Sequence, residues 1–374
     1  MLYCHTQKKY KRESMLDAIY NLSNKKTNLI PRKYQIESPF TIVKGASKTG
    51  KTSIIKQYLS TLPSSTYIYI DLKDLRIDKT TVKEELQTFC IENKIHTLVI
   101  EAYESDIQLP NVSAVILSTE ENLHIDGFTR LDVYNLDFEE FLAFDSRYDT
   151  LDSAFTHFLQ TSSYPELYYV HSDHRQKQLQ NILRLSLNPL ELQIMMHSAK
   201  LLGQKVSAFQ MFERLKLQQK LSKDMFYKTF YGLMEKGYLY WVEKFEHARA
   251  TKKLYTLDFN IKNALTLQKD FSRLFETLVF LEMLKRGCEI YYADDIDFYI
   301  PSENRIVLTM PFSNEDVLFK KVESIEAFII ENGVMHVEVV TMNAETKLGL
   351  PYAIVEMMPF VQWAIVEGEE DDES

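Results

Sequence analysis

Residues 39–53 read PFTIVKGASKTGKTS. An apolar run from Pro39 to Val43 feeds a loop in which Gly45, Gly50, Lys51 and Thr52 keep the G-x-x-x-x-G-K-[ST] spacing of a phosphate-binding loop. Behind it, Ser53, Ile54, Ile55, Tyr58 and Leu59 form a helical pattern. Strand, glycine loop and helix start follow one another, which is the context that gives the motif its chemistry. Successive backbone N–H groups and the positive end of a helix dipole cradle phosphate. Gly45, Ala46, Ser47, Lys48, Thr49, Gly50, Lys51, Thr52 and Ser53 are therefore expected to wrap a nucleotide's phosphates. Lys51 would reach the β- and γ-phosphates and Thr52 would hold Mg²⁺, so the expected ligands are ATP and Mg²⁺.

Outward from the loop, strands and helices alternate. STYIYIDL (65–72) is rich in β-formers, VKEELQTFCIEN (82–93) reads as a helix, and IHTLVIEAYE (95–104) and VSAVILSTEEN (112–122) read as buried strands. That alternation predicts a mostly parallel sheet covered on both faces, an α/β fold of the P-loop NTPase type. The unit is expected to end near LDFEEFLAFD, Leu136 to Asp145. From about 146 to 255 the pattern is helical, with a short aromatic strand pair near its end. After about 268 a helix, FSRLFETLVFLEMLKRG, leads into the strand pattern CEIYYADDIDFYI. The expected division is a P-loop domain over 1–145, a helical domain over 146–260, a third α/β domain over 261–366 and an acidic tail over 367–374.

A P-loop ATPase needs an apolar strand ending in Asp-Glu, the Asp for Mg²⁺ and the Glu for the attacking water. The strand His96 to Ile100 is followed by Glu101, Ala102, Tyr103 and Glu104. Glu101 falls where the Asp belongs, one methylene longer, and Ala102 falls where the catalytic Glu belongs. A methyl group cannot orient water. Glu101 and Glu104 are the candidate catalytic carboxylates, Glu104 only if the loop bends back. Thr119, closing the next strand, is a candidate γ-phosphate contact, and Arg130 in GFTRL is either a phosphate-sensing arginine or a surface one.

Eight separated stretches resemble one group of proteins: GASKTGKTS, YIYIDL, VILSTEENL, FTRLDVYNLDFEEFL, SSYPEL, KKLYTLD, LFETLVFLEMLKRG and DDIDFYI, spanning about 40–300 in order. The group is a family of poorly characterised bacterial and archaeal ATP-binding proteins. The resemblance implies an AAA-type P-loop domain, a winged helix and a restriction-endonuclease-like C-terminal domain of unknown function. It also implies ATP binding by Gly45, Gly50, Lys51 and Thr52. The family's Asp-Glu pair is missing at Glu101–Ala102.

The segment 207–258 fits a helix–turn–helix with a wing. Ser222 is a good N-cap for the second helix, with Met225, Phe226, Phe230, Leu233 and Met234 expected inward. Lys223 and Lys228 would face outward, and Arg249, Lys252 and Lys253 would sit near the wing tip, so these five are the candidate DNA phosphate contacts. Such modules also serve as packing between domains. In restriction-type nucleases an acid on a helix, an Asp on a strand and a Glu-x-Lys on the next strand hold the metal. Glu276 and Asp297 match the first two, but the expected next positions read Leu308 and Met310. The domain is read as a nuclease remnant without activity.

Cys4, Cys90 and Cys288 are too few and scattered for a disulfide framework or a zinc site, which points to a reducing compartment. No apolar run reaches the length of a membrane span and the start carries no signal-peptide pattern, so a cytoplasmic protein without a membrane partner is expected. The net charge is −10, and six acids lie in the tail EGEEDDES. That balance argues against bulk coating of nucleic acid and leaves room for a local basic face. The partner, DNA or protein, and the oligomeric state stay open.

Overall fold

The computed structural model describes residues 14–22, 31–144, 147–218 and 220–366. The sequence also carries a basic cluster, Lys8, Lys9, Lys11 and Arg12, and this cluster and the acidic tail lie outside the described residues. The chain divides into two compact units, residues 1–45 with 50–133, and residues 46–49 with 134–374.

The first unit runs α1 (Met15–Leu22), β1 (Phe40–Lys44), α2 (Lys51–Leu59), β2 (Tyr67–Asp71), α3 (Lys79–Glu92), β3 (Thr97–Glu101), β4 (Ala114–Thr119) and β5 (Thr129–Asp132). All five strands are parallel, in the order β2-β3-β4-β1-β5. β4 is thus inserted between β1 and β3. The three inner strands, β1, β3 and β4, are apolar on both faces because both are covered, whereas the edge strand β5 is polar and partly exposed. Ile42, Leu98, Ile100, Val115 and Leu117 pack with Leu16 of α1 and Val82, Leu86 and Phe89 of α3. Val43, Val99 and Ile116, one residue out of phase, pack with Ile54, Ile55 and Leu59 of α2. The strand and helix expectations for this part of the chain match these elements to within a few residues.

The second unit continues with α4 (Phe138–Phe144), α5 (Leu151–Thr161), α6 (Ser172–Ser186), α7 (Pro189–Lys200), β6 (Lys205–Val206), α8 (Ala208–Lys216), α9 (Lys223–Glu235), β7 (Leu239–Lys244), β8 (Lys252–Thr256) and α10 (Ile261–Leu265). Then come α11 (Phe271–Lys285), β9 (Tyr291–Ala293), β10 (Ile296–Ile300), β11 (Arg305–Thr309), α12 (Glu315–Asn332), β12 (His336–Thr341), β13 (Thr346–Gly349), β14 (Ile354–Pro359) and α13 (Phe360–Val366). Nine strands form one sheet, in the order β13-β14-β12-β11-β10-β9-β7-β8-β6. β11 and β12 are parallel, with α12 as their crossover.

Residues 134–144, read in the sequence as the end of the P-loop domain, belong to this second unit. The reason is packing: Phe138 and Phe141 of α4 are buried with Phe155, Phe158 and Phe275. Polar contacts add to it, because Phe138 N–H donates to Glu282 Oε1 (3.2 Å) and Lys285 Nζ donates to the Leu136 carbonyl (2.6 Å). The sheet also runs on past residue 260, since β7 pairs with β9 through Glu243↔Tyr291 and Lys244↔Tyr292.

In α9, Ser222 caps as expected, its side chain accepting from Met225 N–H (3.2 Å). Phe226, Phe230 and Leu233 are buried, at i, i+4 and i+7, and Met234 is partly buried. Met225, expected inward, is 58% exposed, because it sits about 100° round the helix from Phe226. A polar hub lies at Asp258, which is fully buried. Its Oδ2 accepts from Ser162 Oγ (2.6 Å), Ser163 N–H (2.7 Å) and Ser163 Oγ (2.6 Å), and its Oδ1 accepts from Asn260 N–H (2.8 Å).

Candidate functional site

The loop between β1 and α2 ends in Gly50, the residue before the helix, with φ +95° and no side-chain cap. The N-terminus of α2 is thus left open, as an anion site requires. Gly45 N–H donates to the Thr119 carbonyl (3.2 Å), which anchors the loop's start to the end of β4. Lys51 Nζ folds back onto the Gly45 carbonyl (2.7 Å). Burial brings the Lys51 ammonium down to about 8, against the opposing pull of Glu120 first and Glu101 second. Residues 46–49 count with the second unit. In it, Ser47 N–H donates to Tyr238 Oη (3.1 Å), Lys48 Nζ pairs with Glu166 (3.1 Å), and Thr49 Oγ1 donates to the Ala46 carbonyl (3.0 Å).

Thr52 Oγ1 donates to Glu101 Oε2 (2.9 Å), so the first helical turn and the end of β3 are joined at one point. The other carboxylate oxygen, Glu101 Oε1, is buried without a hydrogen-bond partner. Burial pushes the Glu101 carboxyl up, with the Thr52 hydrogen bond opposing. A hydroxyl and a carboxylate at this corner are the hard oxygens that Mg²⁺ takes, so Thr52 and Glu101 fit that ion. Tyr69 lies near the same carboxylate, its phenol pushed above its ordinary range by burial first and by Glu101 second.

Ala102 follows in the left-handed region, φ +52°. Tyr103 N–H then donates to the Ser118 carbonyl (3.0 Å), so the chain turns back over β4 straight after β3. Glu104 is carried to the surface, where it pairs with Lys79 at the start of α3. Thr119 is buried and its hydroxyl accepts from Glu121 N–H (3.1 Å). Arg130 is held by Asp132 (3.0 and 2.8 Å) and Asn122 (2.7 Å) on its own edge of the sheet. Three charged residues here carry no motif and escape a reading of the sequence. Glu120 follows β4 and is held by Lys73 (3.0 Å). Arg32 is buried with its guanidinium against Gly50, where any Cβ would press into it.

In the second unit the structure brings Glu276, Asp297 and Lys253 to one point. Lys253 Nζ lies 2.9 Å from Glu276 Oε1 and 3.2 Å from Asp297 Oδ1. Tyr255 Oη donates to Glu276 Oε1 (2.6 Å), and Arg273 Nη1 donates to Glu276 Oε2 (2.5 Å). Gly203 (φ +68°) makes room for that arginine, since a Cβ there would lie 2.9 Å from Arg273 Cδ and 3.0 Å from Glu276 Oε2. The positions facing Asp297 on β11 are not Leu308 and Met310, as spacing predicted. Those two pack on the opposite face, with α12. Thr309 takes the place, donating its N–H (2.9 Å) and hydroxyl (3.0 Å) to Asp297 Oδ2. A register break between Ile296 and Tyr299 accounts for the slip, because one residue of offset exchanges the faces of a strand.

Of the five candidate DNA contacts, Lys223, Lys228 and Arg249 are exposed. Lys252 pairs with Glu243 and lies over the Trp241 ring (5.3 Å). Lys253 is 5% exposed and turned inward, so it cannot present its charge to a phosphate from this position. No described helix is long and apolar enough to cross a membrane.

No protein-family model matches the chain. It is similar to an uncharacterised protein of Methanocaldococcus jannaschii, 22% identical over 408 residues, which covers 91% of this chain and 92% of that protein. Among solved structures it is similar to a Walker-type ATPase of Pyrococcus abyssi, with 15% identity and a TM-score of 0.39, over 61% of this chain and 91% of that one.

Gly50→Ala is expected to destabilise the protein by about 1–3 kcal/mol, because the left-handed backbone and the Arg32 guanidinium both reject a Cβ. Urea unfolding of the two proteins checks it, and an unchanged midpoint would show that the loop adapts freely.

Proposed function

We propose that this chain binds ATP with Mg²⁺ in the loop 45–53 and works as a nucleotide-dependent switch that turns over slowly. The observation that carries the reading is the Thr52–Glu101 contact beside a half-buried Lys51, at the carboxyl end of β1 and β3. That end is where ligands of open parallel sheets bind. Bound Mg²⁺ would neutralise charge between the β- and γ-phosphates. The chain's own part would be to hold the phosphates on the N–H groups that open α2, to set Lys51 against them, and to offer Glu101 Oε1 as a free ligand oxygen.

The residues just past β3 support slow turnover. Ala102 has no group to hold a water, and Glu104 is engaged by Lys79. Loss of a positioned general base costs about 10²–10⁴-fold. Taken from about 1–100 s⁻¹ for phosphoryl transfer, that leaves about one turnover per second at most.

For the second unit, the order α7-β6-α8-α9-β7-β8 supports a winged-helix reading, and α11-β9-β10-β11-α12-β12 supports a nuclease-like one. DNA or a protein is the proposed partner, with Lys223, Lys228 and Arg249 as the free charges. A cytoplasmic location fits the scattered cysteines.

Lys51→Ala should abolish ATP·Mg²⁺ binding in titration calorimetry, and equal affinity would overturn the nucleotide reading. Under single-turnover conditions Ala102→Glu should release phosphate faster than the wild type. A wild type that is already fast, and slowed by Glu104→Ala, would make this an active ATPase with Glu104 as its base, released from Lys79. Duplex DNA binding should be weak and fall steeply with salt. Lys223→Glu with Lys228→Glu should remove it, and binding indifferent to that pair would move the contact elsewhere.

A further inference from the structure

We propose that the ammonium of Lys253 is a built-in occupant of a cation site formed by Glu276 and Asp297, so that a side chain of this protein supplies the charge a divalent metal would otherwise bring. The inference rests on the carboxylate pair and is independent of the nucleotide reading.

Glu276 comes from α11 and is buried, Asp297 comes from β10 and is half-buried, and the two converge on one point. Two carboxylates at such a point cannot both stay ionised without a cation between them. Lys253 Nζ is within 3.2 Å of both. It arrives from β8, a strand that belongs to neither carboxylate's element. Burial alone would lower the lysine, but Glu276 and Asp297 outweigh it and hold Lys253 above its ordinary value. Burial alone would raise Asp297, but Lys253 and the Thr309 N–H outweigh it and bring that carboxyl down.

Every carboxylate oxygen is already engaged. Glu276 Oε1 has Lys253 and Tyr255, and Oε2 has Arg273; Asp297 Oδ1 has Lys253, and Oδ2 has Thr309. The formal charges cancel, two acids against Lys253 and Arg273. A divalent ion would find no free oxygen and no net negative charge, and would have to evict the lysine. Two aromatic rings also flank that amine, Phe298 at 5.5 Å and Tyr292 at 5.9 Å. Among the described residues no group of three metal-binding side chains exists either. The nuclease-type metal implied by the resemblance therefore does not fit this site.

The test follows Mn²⁺ uptake by the full-length, nucleotide-free protein in electron paramagnetic resonance. Wild type should take up no Mn²⁺ that Glu276→Gln removes. Lys253→Ala, which frees Glu276 Oε1 and Asp297 Oδ1, should bind one Mn²⁺ per chain and melt at a higher temperature with it. Adding Glu276→Gln should cancel both effects. Wild-type uptake sensitive to Glu276→Gln would overturn the proposal, as would a folded Lys253→Ala protein that binds none. A second measurement needs no variant. Acetic anhydride on the native wild type, read by peptide mass spectrometry, should modify Lys223 and Lys228 while Lys253 stays intact, and equal labelling of all three would overturn the proposal.

Discussion

A charge taken out of water has to be answered by an opposite charge or by several hydrogen bonds, and both units of this chain are organised round that requirement. In the first, Lys51 sits under the carboxyl ends of a parallel sheet, opposed by Glu120 and Glu101. In the second, Asp258 is answered by two serines, and Lys253 by two acids. The apolar clusters set the thickness of each layer, but they tolerate substitution by volume. The buried charges do not, because removing one partner strands the other.

The same requirement explains why certain stretches stand out in the sequence. LDFEEFL and LFETLVFLEML look like ordinary amphipathic segments, yet Phe138 N–H donates to Glu282 and Lys285 donates to the Leu136 carbonyl. SSYPEL and KKLYTLD are bound to each other through Ser162, Ser163 and Asp258. KKLYTLD also meets DDIDFYI through Lys253 and Asp297. These five stretches each hold one half of a long-range polar contact, and the halves specify each other.

Range along the chain decides what the sequence makes legible. The glycine loop, the apolar strands after it and the Ser222 cap are local, and local patterns carry them. Lys253 is different. Lys252 and Lys253 are neighbours on a strand, so one of them must face inward, and nothing nearby says which. The answer lies in Glu276 and Asp297, distant along the chain. Met225 misleads because a neighbour at i+1 owns the buried face. Leu308 and Met310 mislead because a register break in β10 is invisible to simple alternation. Arg32, Lys73 and Glu120 belong to no motif, and only the fold brings them beside the loop and its strands.

The pairing of β7 with β9 bears on how such a chain can be inherited. Segment 205–256, taken alone, would carry away the strands that cover one edge of the sheet and leave β9 with a row of unsatisfied N–H and C=O groups. An unprotected edge invites pairing with other chains. Recombination that lifts either half of the nine-stranded sheet into a new protein thus produces two sticky pieces instead of one sound one. Separating the two halves would leave a short, newly exposed edge on each piece.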